Sequence, residues 1–193
     1  MGQTSDTAEL CAAAQSQLLV IDVQQRLQAA MKAKITARVT RHIERLIRAA
    51  HLLGIPVHHT EQYPRGLGET LPELQALLPG KGFEKTCFSC CGAEGLSAAL
   101  EEPQKGRGQI VLCGMESHVC VLQTALELQA QGFAVFVVED ACCSRDKHHH
   151  KNAMARLRTA GVVVSNHESV LFEWLRDASH PHFRAISAML RAG

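Results

Sequence analysis

The chain has 193 residues, enough to bury a sizeable core, and one domain is the default expectation. Its 20 Lys and Arg nearly cancel its 19 Asp and Glu, so a net charge of +1 supplies no long-range field to recruit nucleic acid or an anionic membrane. No apolar run is long enough to span a bilayer. Residues 1–15 lack the basic start and apolar centre of a secretory signal, and Asp6 stands where an N-myristoylation motif at Gly2 requires Ser or Thr.

In chain order, residues 1–15 read as a flexible polar tail. Leu18-Leu19-Val20-Ile21 predicts a first strand, closed by Asp22. Ile35, Val39, Ile43, Leu46, Ile47 and Ala50 share one face of a helix that Gly54 ends, and Ile55-Pro56-Val57 opens a second strand. The Gly- and Pro-rich stretch 61–85 reads as an ordered functional loop with a short helix over 71–78. Ile110-Val111-Leu112-Cys113 predicts a buried strand, followed by a helix marked by Leu122, Ala125, Leu126 and Leu128 and stopped by Gly132. Phe133-Ala134-Val135-Phe136-Val137-Val138 predicts another strand. A helix carrying Met154 and Leu157 then ends at Gly161, and Val162-Val163-Val164 predicts the last strand.

Apolar strands without alternation, each separated from the next by a helix, are what a parallel sheet covered on both faces requires. The expectation is an α/β fold: a three-layer, doubly wound, Rossmann-like, mostly parallel sheet of about six strands, with residues 16–193 as a single domain. In such sheets ligands bind beyond the carboxyl ends of the strands. Asp22, Glu61, Glu116, Cys120 and the pair Glu139-Asp140 stand at such ends. For Asp22 the competing role is a cap on a helix starting near Gln24. Cys120 falls where a strand gives way to a helix, whose unpaired N–H groups favour a thiolate and can hold an oxyanion. A buried structural thiol is the plain alternative.

Asp22-Val23-Gln24, Lys85 in Lys-Thr-Cys-Phe-Ser, and Gly114 followed six residues later by Cys120-Val121 resemble the isochorismatase-like cysteine hydrolases. That superfamily includes nicotinamidases, N-carbamoylsarcosine amidohydrolases and isochorismatase, and the resemblance runs over about residues 18–171. Thr60-Glu61-Gln62-Tyr63-Pro64-x-Gly66-Leu67-Gly68 looks closest to the isochorismatase-domain-containing branch. The resemblance implies a catalytic triad of Asp22, Lys85 and Cys120. Cys120 would attack an amide-like carbonyl, Asp22 would act as base then acid, and Lys85 would hold Asp22 and keep a thiolate accessible. It also implies a cis peptide at Met115–Glu116, with the N–H groups of Glu116 and Cys120 forming an oxyanion hole. Leu27, Tyr63, Phe88, Ser117 and His118 are the pocket candidates, Leu27 replacing a Phe frequent in the family. A cysteine at position 120 favours acyl hydrolysis over the vinyl-ether cleavage of isochorismate.

The resemblance implies a small-molecule substrate and a homo-oligomer; no cofactor is expected, and the charge balance and the lack of an apolar span predict no nucleic-acid or membrane partner. No metal is expected: His58-His59 would point to opposite faces of a strand, and Cys87-Phe88-Ser89-Cys90 lacks a second ligand pair for zinc. His148-His149-His150 reads as a solvated helix start, with Ser144 or Asp146 as its cap, and Trp174 as packing or a subunit contact. Eight cysteines within predicted elements fit a reducing compartment, the cytoplasm by default, with a mitochondrial address still open. Three functional readings compete: a cysteine amidohydrolase, an idle scaffold or binding protein of the same family, and a nucleic-acid enzyme suggested by a ribonuclease label on some relatives. The balanced charge and scarcity of aromatic residues oppose the last.

Overall fold

The computed structural model describes residues 10–101 and 107–191. Its six strands are β1 (Ser16–Ile21), β2 (Val57–Gln62), β3 (Phe83–Lys85), β4 (Gln109–Met115), β5 (Ala134–Cys143) and β6 (Val163–Ser165). They form one sheet in the order β3-β2-β1-β4-β5-β6, and every neighbouring pair is parallel. The expected three-layer α/β architecture is therefore present. β1 and β4 lie at its centre and are buried along their whole length, which explains why they read as unbroken apolar runs.

The helices are α1 (Gln25–Ala29), α2 (Ala33–Leu52), α3 (Pro64–Leu67), α4 (Pro72–Gln75), α5 (Leu96–Glu101), α6 (Leu122–Ala130), α7 (Lys147–Thr159), α8 (His167–Leu175) and α9 (Phe183–Arg191). On one face, Val39, Ile43, Leu46 and Ile47 of α2 pack with Val170, Leu171 and Trp174 of α8 and Ile186 of α9. On the other, Leu96 of α5, Leu122, Ala125 and Leu128 of α6 and Met154 and Leu157 of α7 close the second core. Trp174 is a packing residue: its indole N–H reaches the Ser16 hydroxyl at 3.0 Å and Cys11 Sγ at 3.1 Å. No helix is long and apolar enough to cross a membrane among the described residues.

Three sequence expectations change. Residues 1–9 of the expected tail, with Gly2 and Asp6, lie outside the described residues. From Leu10 onward the chain is anchored, because Cys11 is fully buried and its N–H donates to Glu173 at 2.8 Å. The stretch 61–85 is more ordered than a loop with one helix: it holds the end of β2, α3, α4 and the edge strand β3. β5 does not stop at Glu139-Asp140. Leu112 pairs with Val137 but Gly114 with Cys142, so a bulge absorbs extra residues and the strand resumes to Cys143.

The order reverses between β1 and β4, and at such a switch point the connections that leave the two strands part to leave a crevice at their carboxyl ends. Gly114, at φ +124°, lets the two central strands close up just before that crevice, and a Cβ there would collide with the Ile21 carbonyl. Gly114→Ala is expected to destabilise the protein by about 2–4 kcal/mol in urea unfolding, from both the backbone conformation and the clash. An unchanged unfolding midpoint would show that the strands can part at no cost.

Candidate functional site

The site is built on strand ends. Asp22 follows β1, its φ of +50° turning the chain sharply, and Lys85 closes β3. Both side chains are 0% exposed, and Lys85 Nζ lies 2.7 Å from Asp22 Oδ2. The second carboxylate oxygen, Oδ1, accepts from the Thr60 hydroxyl at 2.7 Å. Asp22 caps no helix: the residue before α1 is Gln24, and it makes no side-chain cap.

Lys85 has three N–H donors, and four acceptors surround them. Besides Asp22 these are Gln62 Oε1 at 2.6 Å and the carbonyls of Phe88 at 3.1 Å and Cys87 at 3.3 Å. Burial works against the ammonium, but the charge of Asp22, with Cys90 and Cys120 behind it, holds the Lys85 pKa above its ordinary value. The lysine is thus a fixed cation committed to its neighbours.

Gln24 organises the same corner. It is fully buried; its Oε1 accepts from the Gln62 N–H at 2.8 Å, and its Nε2 donates to the Gln62 carbonyl at 3.1 Å and also to that of Gly68. Thr60, Gln62 and Gln24 were not singled out as site residues from the sequence. Alternation along β2 could have found the first two, since Thr60 and Gln62 share a face while His59 and Glu61 take the other. Glu61 accordingly turns away from Lys85, and its carboxylate binds the Thr70 N–H and hydroxyl, each at 2.7 Å.

Cys120 lies after β4 in a single π-helical turn, Ser117–Val121, that leads into α6. It is 5% exposed. Burial raises its pKa most, the Asp22 carboxylate raises it further by charge and hydrogen bonding, and Lys85 offsets only part of this. The thiolate expected from the helix terminus is therefore corrected: at neutral pH the group rests as a thiol next to a carboxylate. The Met115–Glu116 peptide bond is cis.

The pocket candidates divide. Tyr63 and Phe88 are each 54% exposed, and Tyr63 borders a cavity of about 410 Å³ that also touches Arg65, Lys85 and Cys87. Leu27 instead packs against the core under α2. Ser117 is fully buried and bonds His150 Nδ1 at 2.8 Å, so it does not line a pocket. His118 is half-buried, bonded through Nδ1 to the Ser144 hydroxyl at 3.0 Å and in tilted ring contact with His149. The histidine tract is only partly a solvated helix start. Asp146 caps α7 by accepting from the His148 N–H at 2.6 Å, while His149 and His150 turn to the Cys120 turn.

Among the described residues one group has ligand atoms close enough for a metal ion: His42, Asp140 and His167. Its atoms are already engaged. His167 Nδ1 lies 2.6 Å from Asp140 Oδ2, and His42 Nδ1 is 2.9 Å from the Asp140 carbonyl. The two imidazoles stack 3.7 Å apart at 15°, so their in-plane lone pairs cannot converge on one ion. The cluster ties α2, β5 and α8 together. It also gives Asp140, expected at the cleft, a structural place, while Glu139 pairs with Arg158. The eight cysteines carry no disulfide.

Comparison with known proteins agrees with this arrangement. The isochorismatase domain profile matches residues 16–169. Isochorismatase domain-containing protein 2A of Mus musculus is 41% identical over 152 residues, which cover 76% of this chain and 69% of that protein. The structure of the MAR1 ribonuclease of Caenorhabditis elegans superposes with a TM-score of 0.86 at 33% identity, covering 94% of this chain and 92% of that one. YcaC from Pseudomonas aeruginosa, solved with hexane-2,5-diol and covalent acrylamide, gives 0.87 at 25% identity, covering 96% and 93%. A match this long, carried by the same sheet whose central switch point brings Asp22 to the Cys120 turn, makes the chain a member of the isochorismatase-domain family.

Proposed function

We propose that this family hydrolase cleaves a small amide-like C–N bond with Cys120 as nucleophile. The observation that carries the reading is the water-excluded Asp22–Lys85 pair held against the Cys120 thiol at the switch point of the sheet. The raised thiol pKa supports a first step in which base and nucleophile act together. Asp22 takes the thiol proton as sulfur attacks the carbonyl carbon, so no free thiolate accumulates. The N–H groups of Glu116 and Cys120 serve as oxyanion donors. Collapse breaks the C–N bond, and Asp22 passes its proton to the leaving amine. Water then attacks the thioester, giving one proton to Asp22, which returns it to sulfur as the acid leaves.

In this scheme Lys85 acts through Asp22. With its N–H groups engaged, it keeps the carboxylate ionised and aimed. Tyr63 and Phe88, exposed at the rim, are the substrate contacts in this reading. No cofactor enters the scheme, and a homo-oligomer in a reducing compartment such as the cytoplasm fits the family and the eight unpaired thiols. The likeness to the MAR1 ribonuclease supports a second reading, RNA cleavage. A net charge of +1 gives a polyanion little long-range attraction, which favours the first.

Two measurements test the proposal. Across a panel of small amides and a generic RNA, Cys120→Ala is expected to lose amide turnover by about three orders of magnitude or more. Intact-mass spectra of the wild type should show an acyl adduct absent from the variant. Undiminished turnover by Cys120→Ala would end the cysteine mechanism, and Cys120-dependent RNA cleavage would install the second reading. Asp22→Asn should act in opposite senses on two readouts. It removes the negative charge that raises the Cys120 pKa, so the pH midpoint for carbamidomethylation of Cys120 should move down. Turnover should nevertheless fall by about 10²–10⁴-fold, because the base is gone. A midpoint that stays or rises would show that Asp22 does not face the sulfur.

A further inference from the structure

Three consecutive residues before Cys120 are each tied to one segment of another element, the start of α7. The Glu116 carboxylate accepts from the Arg145 N–H at 2.9 Å, with the Arg145 guanidinium 3.4 Å away. Ser117 Oγ meets His150 Nδ1 at 2.8 Å, and His118 Nδ1 meets Ser144 Oγ at 3.0 Å. The Glu116 carbonyl in turn accepts from the N–H groups of Val119, at 3.1 Å, and Val121, at 3.3 Å, so the turn hangs from residue 116. The Ser117 end of its link is the most deeply buried of the three. Each link joins a buried group (Glu116, Ser117 or Ser144) to a more exposed one, but only Ser117 is completely closed to solvent, so its hydroxyl has no water to turn to if the bond is lost.

The geometry points to His150 as a positioning residue for Cys120: through Ser117 it fixes the turn that carries the sulfur and both proposed oxyanion donors. The inference rests on the nucleophile assignment above and adds the element that aims it. His150 is itself held. It stands in the first turn of α7, its N–H donates to the Asp146 carbonyl at 3.1 Å, and its Nε2 faces Glu139 at 3.9 Å. Arg158 pairs with that same Glu139. A polar bond anchored in a buried serine of the same turn fixes the turn's orientation, and displacements near an ångström at a reacting atom are felt strongly in rate.

The test follows acrylamide adduct formation at Cys120 by peptide mass spectrometry, with melting temperature recorded for each variant. Ser117→Ala and His150→Leu should each slow the maximal rate of modification about tenfold, with half-saturation nearly unchanged. The double variant should be no slower than either single one, because both remove the same bond. His150→Asn, which places an amide group where Nδ1 stands, should restore the rate to within about twofold. Wild-type rates in both single variants, additive losses in the double, or losses that simply follow melting temperature would overturn the inference and leave the nucleophile intact. A wild-type Cys120 that acrylamide does not modify ahead of the other thiols would remove the nucleophile assignment and this inference with it.

Discussion

The structure turns on an ion pair that water does not reach. Two opposite charges taken out of solvent are tolerated only where their partners are complete, because a buried charge left alone costs several kcal/mol. Here the completeness is visible: the carboxylate of Asp22 is matched by Lys85 and Thr60, and the ammonium of Lys85 by Asp22, Gln62 and two carbonyls. Those groups come from the ends of β1, β2 and β3 and the segment that follows. The pair therefore sets the registry of one half of the sheet, with Ile21 against Thr60 and Gln62 against Lys85. Fold and site impose the same constraint on each other, since a slip of one residue in β2 would turn Thr60 and Gln62 away from the charges they satisfy.

The other half of the sheet delivers the sulfur. β4 lies against β1 from Ser16–Gln109 to Ile21–Gly114, so the Cys120 turn emerges directly beside Asp22. The approach is close because residue 114 has no side chain. Burial then decides the chemistry. A helix terminus and a lysine both favour a thiolate, but desolvation together with the adjacent carboxylate outweighs them. The result is a thiol beside a carboxylate, which in the proposed reaction becomes the nucleophile only when a carbonyl is there to receive it. A standing thiolate among seven other cysteines would invite oxidation and exchange.

Much of this was legible in the chain, and where it was not the reasons are physical. The central strands announced themselves because both faces are covered, and α2, α6 and α7 because each has one apolar side and a glycine stop. β3 escaped because three residues, Phe83-Glu84-Lys85, at a sheet edge carry too little pattern to outweigh the glycines and prolines before them. β5 was cut short because Glu139 and Asp140 read as a strand end, whereas a bulge turns both outward to Arg158 and to the His42–His167 stack. Asp22, Lys85 and Cys120 came from a family resemblance, since nothing in their spacing alone brings positions 22, 85 and 120 together. Ser117 and His118 were misplaced for an instructive reason. Nearness to a nucleophile in sequence suggests a shared pocket, but successive side chains in a tight turn fan apart, and these two point into neighbouring protein.

That fanning explains the division of labour around the cleft. The side chains that touch the charged pair, Thr60 and Gln62, are strand-borne and buried. Residues that hold the Cys120 turn come from the far side of β5, at the start of α7, and use neutral or singly charged hydrogen bonds. Tyr63 and Phe88, by contrast, are exposed aromatic side chains near the Lys85 end, Tyr63 beside the cavity. In the proposed reaction, a fixed carboxylate, a tied turn and an exposed rim would separate the two tasks of the site. Proton transfer needs fixed distances within hydrogen-bond reach, whereas discrimination among small amides needs only a surface that can be reshaped. Differences in substrate between members of the family should therefore lie in the segment that carries Tyr63, while the strand ends that hold Asp22 and Lys85 stay the same.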